Sequence, residues 1–323
     1  MDSRIQRTGG PGGIASPPSR GDILCDKVFR GVSFGFAALT IVVLGVVVVE
    51  IGHKAVPAVQ DYGIGLLTSV DWDVNKKLFG ILPQIWGTLY SSLLALGLGG
   101  FFGVTIAIFL TQDFLPHAVE VVLKNIIELL AAIPSVVYGL WGIFVLIPLV
   151  RPFADVLHEH FGWIPFFGTE LVGPRLFPAA LVLSIMILPT VAAVSQDAFR
   201  AIPLKTKEAA YGMGTTRWEA ILRVMLPTAS GGIFGALVLG FGRALGETMA
   251  LAMLVGNANK ITLSLFSPAN TLAALLALNF PEAGPTEIEV LMFAAIVLLV
   301  ITLVVNILGQ WIITVSQPGG KKR

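Results

Sequence analysis

The sequence predicts an all-α integral membrane protein with six transmembrane helices, and three observations carry that prediction. Hydrophobic residues make up 55% of the 323 residues and charged residues only 13%. With a mean hydropathy of +0.84, the chain holds more apolar surface than a soluble domain of this length can bury. Six runs are long enough to cross a hydrocarbon layer, which takes about 20 mostly apolar residues. Lys and Arg are shared unevenly between loops that alternate in side, as the positive-inside rule expects of a multi-pass protein.

In chain order, residues 1–25 read as a disordered cytoplasmic tail, rich in Gly, Pro, Ser and Arg and lacking an apolar anchor. Residues 26–317 form the transmembrane domain, with spans expected at about 32–52, 84–111, 120–150, 176–197, 228–256 and 287–315, and 318–323 form a basic cytoplasmic tail. These runs exceed strand length and do not alternate, so helices are expected rather than a barrel. The first run is longer than a signal peptide's apolar core and lacks a small-residue cleavage pattern, so it reads as a retained span. Its upstream neighbour Cys25 is the single cysteine, which excludes an intramolecular disulfide. The third run is too long for one straight crossing, and Pro134 removes a backbone donor inside it, so a kink or break is expected there. Pro189 in the fourth invites the same reading. The outer loops, about 53–83, 151–175 and 257–286, carry Trp72, Trp163 and several prolines and are expected to hold short interfacial helices.

Orientation follows from the basic residues. Arg4, Arg7, Arg20, Lys27, Arg30, Arg200, Lys205, Lys207, Arg217, Arg223, Lys321, Lys322 and Arg323 fall on one side, against Lys54, Lys76, Lys77, Arg151, Arg175 and Lys260 on the other. Both termini are therefore expected in the cytoplasm.

The cytoplasmic loop 198–227 is the most informative segment. Pro203 suits a first helical turn, Gly214 a helix stop, and Thr216 with Glu219 a capping box. Two short helices joined by a bend are expected, with Tyr211, Gly212, Met213 and Gly214 presenting an apolar knob to a partner's groove. No Walker-type phosphate cradle occurs anywhere in the chain, so any use of ATP and Mg is expected to belong to another polypeptide and no cofactor is expected here.

Charges inside spans are costly and mark function by default. In the fifth run, Arg243 and Glu247 stand four apart and are expected to share a helix face close enough to pair. Glycines flank them at 240, 242 and 246, and Thr248 adds a hydroxyl. Arg243 offers a planar fork of donors for an oxyanion, and a fixed structural bridge between spans is the other reading. Glu120, Lys124 and Glu128 read as a local ion ladder near the cytoplasmic boundary, and His158 and His160 as a solvated loop rather than a metal pair.

Several of these segments carry a resemblance. Glu208, Ala209, Ala210, then Gly214, then Val224-Met-Leu-Pro227 resemble the EAA loop of bacterial ABC importer permeases, with Val224 in place of the usual Ile. Segments 79–89, 131–142 and 242–250 look like phosphate-specific importer permeases, and 247–257 is more similar to the C type than to the A type. The resemblance covers about residues 22–316 and implies a type I importer fold. It also implies a coupling helix at Glu208–Gly214 and a substrate pathway at Arg243 and Glu247. The implied partners are a homologous A-type permease, two ATP-binding subunits and an extracytoplasmic phosphate-binding protein. Lipid surrounds the spans, and no nucleic acid is involved. A permease for another oxyanion or small solute remains open at this level. An intramembrane lipid-modifying enzyme is the alternative of a different class, and the clustered Asp, His, Ser or Cys that it needs are not found.

Overall fold

The computed structural model describes residues 20–112 and 114–316, and the chain divides into two compact units at Glu50. The first unit contains the start of helix α1 (Arg20–Tyr62). Its run of valines would disfavour a helix in water, but a crossing segment has no solvent to take its N–H and C=O groups, so the helix is enforced. Nearly every side chain of this part is exposed, Phe34 at 75%, as a lipid-facing segment requires. Helix α1 already runs from Arg20, so the expected unstructured stretch ends before 25; residues 1–19 and 317–323 lie outside the described residues.

The second unit continues from Ile51. Helix α2 (Gly65–Thr68) leads to a tight turn in which Asp73 and Leu78 form an antiparallel bridge. Asp73 Oδ1 accepts from the backbone N–H of Asn75 and Lys76 at 3.0 and 3.1 Å. Trp72 and Tyr62 stack edge-on against Phe79 at 5.2 and 5.5 Å. Helix α3 (Leu82–Thr111) follows, then α4 (His117–Ala132), α5 (Ser135–Trp141), a π-helical turn at Gly142–Leu146 and α6 (Ile147–Phe161). Helix α7 (Leu176–Arg200) precedes α8 (Leu204–Gly212) and α9 (Arg217–Ala220). A second π-helical turn, Ile221–Met225, joins α9 to α10 (Leu226–Leu245). Helices α11 (Met249–Leu254), α12 (Leu272–Asn279) and α13 (Pro285–Ser316) complete the unit.

Six of the described helical stretches are long and apolar enough to cross a membrane, and their boundaries revise the expected ones at three places, the first running over Ile23–Tyr62 rather than 32–52. The third crossing is Ser135–Phe161, because the helix breaks before Pro134. Ile133 turns extended with ψ 127°, and Pro134 opens the next helix at ψ 144°. The break leaves α4 carbonyls without helical donors. Tyr138 repairs one of them, its hydroxyl donating to Leu130 O at 2.8 Å. The fifth crossing is Arg217–Leu245, starting earlier and stopping sooner than 228–256, since α9, the π-helical turn and α10 run on without interruption. Pro189, by contrast, does not break α7.

Helices α3 and α7 form the centre of the second unit. Small residues let them approach: a Cβ on Gly99 would stand 2.6 Å from Ser184 O, and one on Gly103 2.9 Å from Val191. Close backbone contact of this kind takes the place of hydrophobic burial where lipid is as apolar as the side chains. Leu183, Met186 and Ile187 of α7 join Leu251 and Leu254 of α11 in the largest buried cluster. Beyond α11 the chain turns at Gly256 and Asn257, both at positive φ, and returns as an irregular segment. Along that return, Ala269 N–H donates to Val255 O at 2.9 Å and Leu176 N–H to Ser267 O at 3.2 Å. Trp86 Nε1 and Tyr90 Oη of α3 donate to Thr262 O and Leu263 O at 3.1 and 2.8 Å.

Candidate functional site

The fifth crossing ends where the sequence places its charges. Helix α10 stops at Leu245, Gly246 caps it, and Glu247 and Thr248 lie in the gap before α11. The expected ion pair between Arg243 and Glu247 is therefore not formed: the i, i+4 geometry needs an unbroken helix, and the glycine-flanked backbone unwinds between the two. Glu247 Oε1 instead accepts from the N–H of Ala250 at 3.3 Å, at the start of α11. Thr248 Oγ1 donates to Gly246 O at 3.1 Å. Arg243 reaches across to α7, where its Nη1 donates to Thr190 Oγ1 at 3.1 Å. No described carboxylate pairs with it, and its side chain is exposed. It also lies within Coulombic reach of Tyr138. The last turn of α10 thus carries a cation that no described carboxylate pairs with, ahead of a gap that holds a part-buried carboxylate. Such an arrangement can bind and release an anion.

The loop between the fourth and fifth crossings matches much of the expected design. Pro203 precedes α8, and Gly214 takes φ +81° at the bend, with its N–H donating to Tyr211 O at 2.9 Å. Thr215 Oγ1 closes the end of α8 by donating to Ala210 O at 2.8 Å. The capping box forms in both directions: Glu219 N–H donates to Thr216 Oγ1 at 3.3 Å, and Thr216 N–H to Glu219 Oε2 at 3.0 Å. The second helix of the loop, however, is the first turn of the fifth crossing rather than a separate short helix. Ala210 is buried against Ala220, Ile221 and Met225, which fixes α8 to that crossing. Glu208, Ala209, Tyr211, Gly212 and Gly214 stay exposed, as does Met213 at 76%.

The remaining expected features are more local. Lys124 pairs with Glu120, while Glu128 faces a cavity of about 370 Å³ with Asp197 and Arg200 and does not extend the ladder. His158 is not a solvated loop residue; it sits in the last turn of α6 and its Nδ1 meets Phe167 O at 2.7 Å. Thr190 is the residue that sequence reasoning missed beside Arg243. The pairing of a threonine with Pro189 in mid-span was the available signal.

Comparison with known proteins agrees with this fold. Residues 103–321 match the family described as binding-protein-dependent transport system inner membrane component. The chain is 37% identical over 302 residues to a phosphate transport system permease protein PstC of Haemophilus influenzae, covering 92% of this chain and 96% of that protein. It is 36% identical to the PstC protein of Mesorhizobium japonicum, covering 90% of each. Among solved structures, a bacterial alginate ABC transporter in complex with its pentasaccharide-bound periplasmic protein aligns with a TM-score of 0.60 at 20% identity, over 91% of this chain and 97% of that one. With the family matched over more than half the chain and relatives at 36–37% identity spanning at least nine-tenths of it, this multi-pass protein belongs to the binding-protein-dependent transport system inner membrane components, and within them to the phosphate transport permeases of the PstC type.

Proposed function

We propose that the chain is the permease subunit of an ATP-driven importer that carries inorganic phosphate across the plasma membrane of a bacterium. It works with a homologous A-type permease, two ATP-binding subunits and an extracytoplasmic phosphate-binding protein, and both termini face the cytoplasm. As a permease subunit it is not itself catalytic and binds no cofactor. The observation that carries the substrate reading is Arg243: a guanidinium level with the middle of α7, exposed, hydrogen-bonded to a hydroxyl and paired with no described carboxylate. A lone cation at that depth is costly unless an anion or a water-filled route compensates it. Glu247 and Thr248, in the gap that follows, line the same route.

Coupling to ATP hydrolysis falls to Glu208, Ala209, Ala210, Tyr211, Gly212, Met213 and Gly214. Ala210 anchors the segment inward, while Met213 and Tyr211 project outward as an apolar knob suited to a groove on the ATP-binding subunit. Closure of the paired ATPases then moves the fifth crossing directly, because α9 is continuous with α10.

The test is ATP-dependent uptake of radiolabelled phosphate by the reconstituted complex with its binding protein, comparing wild type with Arg243→Gln and Glu247→Gln. Loss of uptake with assembly intact supports the pathway assignment. Uptake at the wild-type rate in both variants refutes it.

A further inference from the structure

We propose that Thr190 is a positioning residue for transport: it holds the Arg243 guanidinium across the gap and contributes a hydroxyl donor to the same oxyanion. This rests on the reading of Arg243 as part of the substrate pathway.

The geometry of the other threonines makes Thr190 distinct. Thr40, Thr88, Thr105, Thr111, Thr228 and Thr302 each turn the hydroxyl back to donate to the carbonyl four residues earlier. That is the default for a threonine in a helix that crosses a membrane, because the hydroxyl has no water to bond. Thr190 departs from it. Its Oγ1 accepts from Arg243 Nη1 at 3.1 Å, and among the described residues no acceptor takes its own proton. A hydroxyl has one proton to donate and two lone pairs to accept with, so accepting from Arg243 leaves the Thr190 proton available to a further acceptor.

The surroundings fix this arrangement. Thr190 follows the buried Pro189 in α7, and the next residue, Val191, lies fully buried against Gly103 and Gly240. The backbone carrying Thr190 is thus held by α3 on one side and α10 on the other. Arg243 sits in the last turn of α10, two residues before the helix ends, where its long side chain would otherwise sample many rotamers. A hydrogen bond from a rigid neighbouring helix removes that freedom, and preorganised donors bind an anion more tightly than mobile ones. An oxyanion with several acceptor oxygens can take a guanidinium N–H and the Thr190 O–H together.

The experiment compares Thr190→Val, which keeps the shape and loses the hydroxyl, with Thr190→Ser, which keeps the hydroxyl. Both are made in the complete reconstituted complex, in wild-type and Arg243→Gln backgrounds. The readout is inorganic phosphate imported per ATP hydrolysed, with the yield of assembled complex measured alongside. Thr190→Val is expected to lower this ratio roughly tenfold or more, the factor carried by one hydrogen bond to a charged group. Thr190→Ser is expected to restore most of it, and in the residual import of Arg243→Gln the further loss from Thr190→Val is expected to be several-fold smaller than in wild type, because only the hydroxyl's own contact with the anion is left to lose. Should Thr190→Val fail to assemble, Thr190→Cys, with its weak donor, replaces it with the same expectation. Wild-type import by the Val variant overturns the proposal, as does a Ser variant no better than Val, or an undiminished Val effect in the Arg243→Gln background. If Arg243→Gln alone imports normally, the pathway reading itself falls and the role of Thr190 falls with it.

Discussion

Replacing Gly87 by Ala tests how the return segment after α11 is held against α3. A Cβ at this position would stand 1.9 Å from Asn270 O and 3.0 Å from Asn270 C, both backbone atoms. No rotamer change relieves such a contact, so the segment before α12 must move away. Thr88 Oγ1 accepts from Leu272 N–H at 2.9 Å one residue further along α3, and that bond is stretched by the same displacement. Overpacking costs about 1–3 kcal/mol and the lost buried hydrogen bond about 1 kcal/mol more, giving a destabilisation of about 2–4 kcal/mol. Gly97 on the same helix is the control, since nothing lies within 4 Å of its would-be Cβ. There Ala is expected to be neutral or to stabilise by about 0.5–1 kcal/mol through helix propensity. The assay is thermal unfolding of the detergent-solubilised protein followed by size-exclusion fluorescence. Gly87→Ala should lower the midpoint by several degrees while Gly97→Ala should not. Equal midpoints for both variants and wild type would refute the close approach.

Other expectations are more local. Gly214→Ala places a side chain at φ +81° in otherwise open space, so it should cost about 1–2 kcal/mol of local strain and weaken co-purification of the ATP-binding subunit without lowering membrane insertion. Thr216→Ala removes the hydroxyl that closes the capping box. The first turn of the fifth crossing should fray, at a cost of about 0.5–2 kcal/mol, seen as faster amide exchange at residues 217–220. In the turn after α2, the backbone N–H and the ammonium of Lys76 hold the Asp73 carboxyl below its ordinary 3.8. A depressed carboxylate stabilises above the unfolded value and loses that contribution as pH falls through the folded one. Amide protection at Asn75 and Lys76 should therefore drop below about pH 3.8, and Asp73→Asn should make it independent of pH.

The crossings were legible because each is a long apolar run, a property of composition that tertiary contacts do not override. The bend at Gly214 and the capping box were legible because each depends on residues within a few positions of one another. The break at Ile133 and Pro134 was visible for the same reason: proline acts on its own helix. Proline alone, however, did not distinguish Pro134 from Pro189, because whether a helix continues past a proline depends on what packs around the freed carbonyl. The partner of Arg243 was misread for a related cause. Spacing of four implies a shared face only while the helix lasts, and α10 ends between Arg243 and Glu247. Thr190 lies 53 residues away in sequence, and no periodicity links it to Arg243. The return segment was similarly hidden, since its bonds to Trp86 and Tyr90 join residues more than 170 positions apart.

That return segment also dictates an order of biogenesis. Its carbonyls accept from groups that are synthesised much earlier, the indole of Trp86 and the phenol of Tyr90, and the Leu272 N–H that follows donates to the hydroxyl of Thr88. A nascent chain paused before that stretch has inserted five crossings yet leaves these groups of α3 unfinished. Until the last fifth of the chain has been translated, α3 is therefore expected to be held less firmly than in the finished protein.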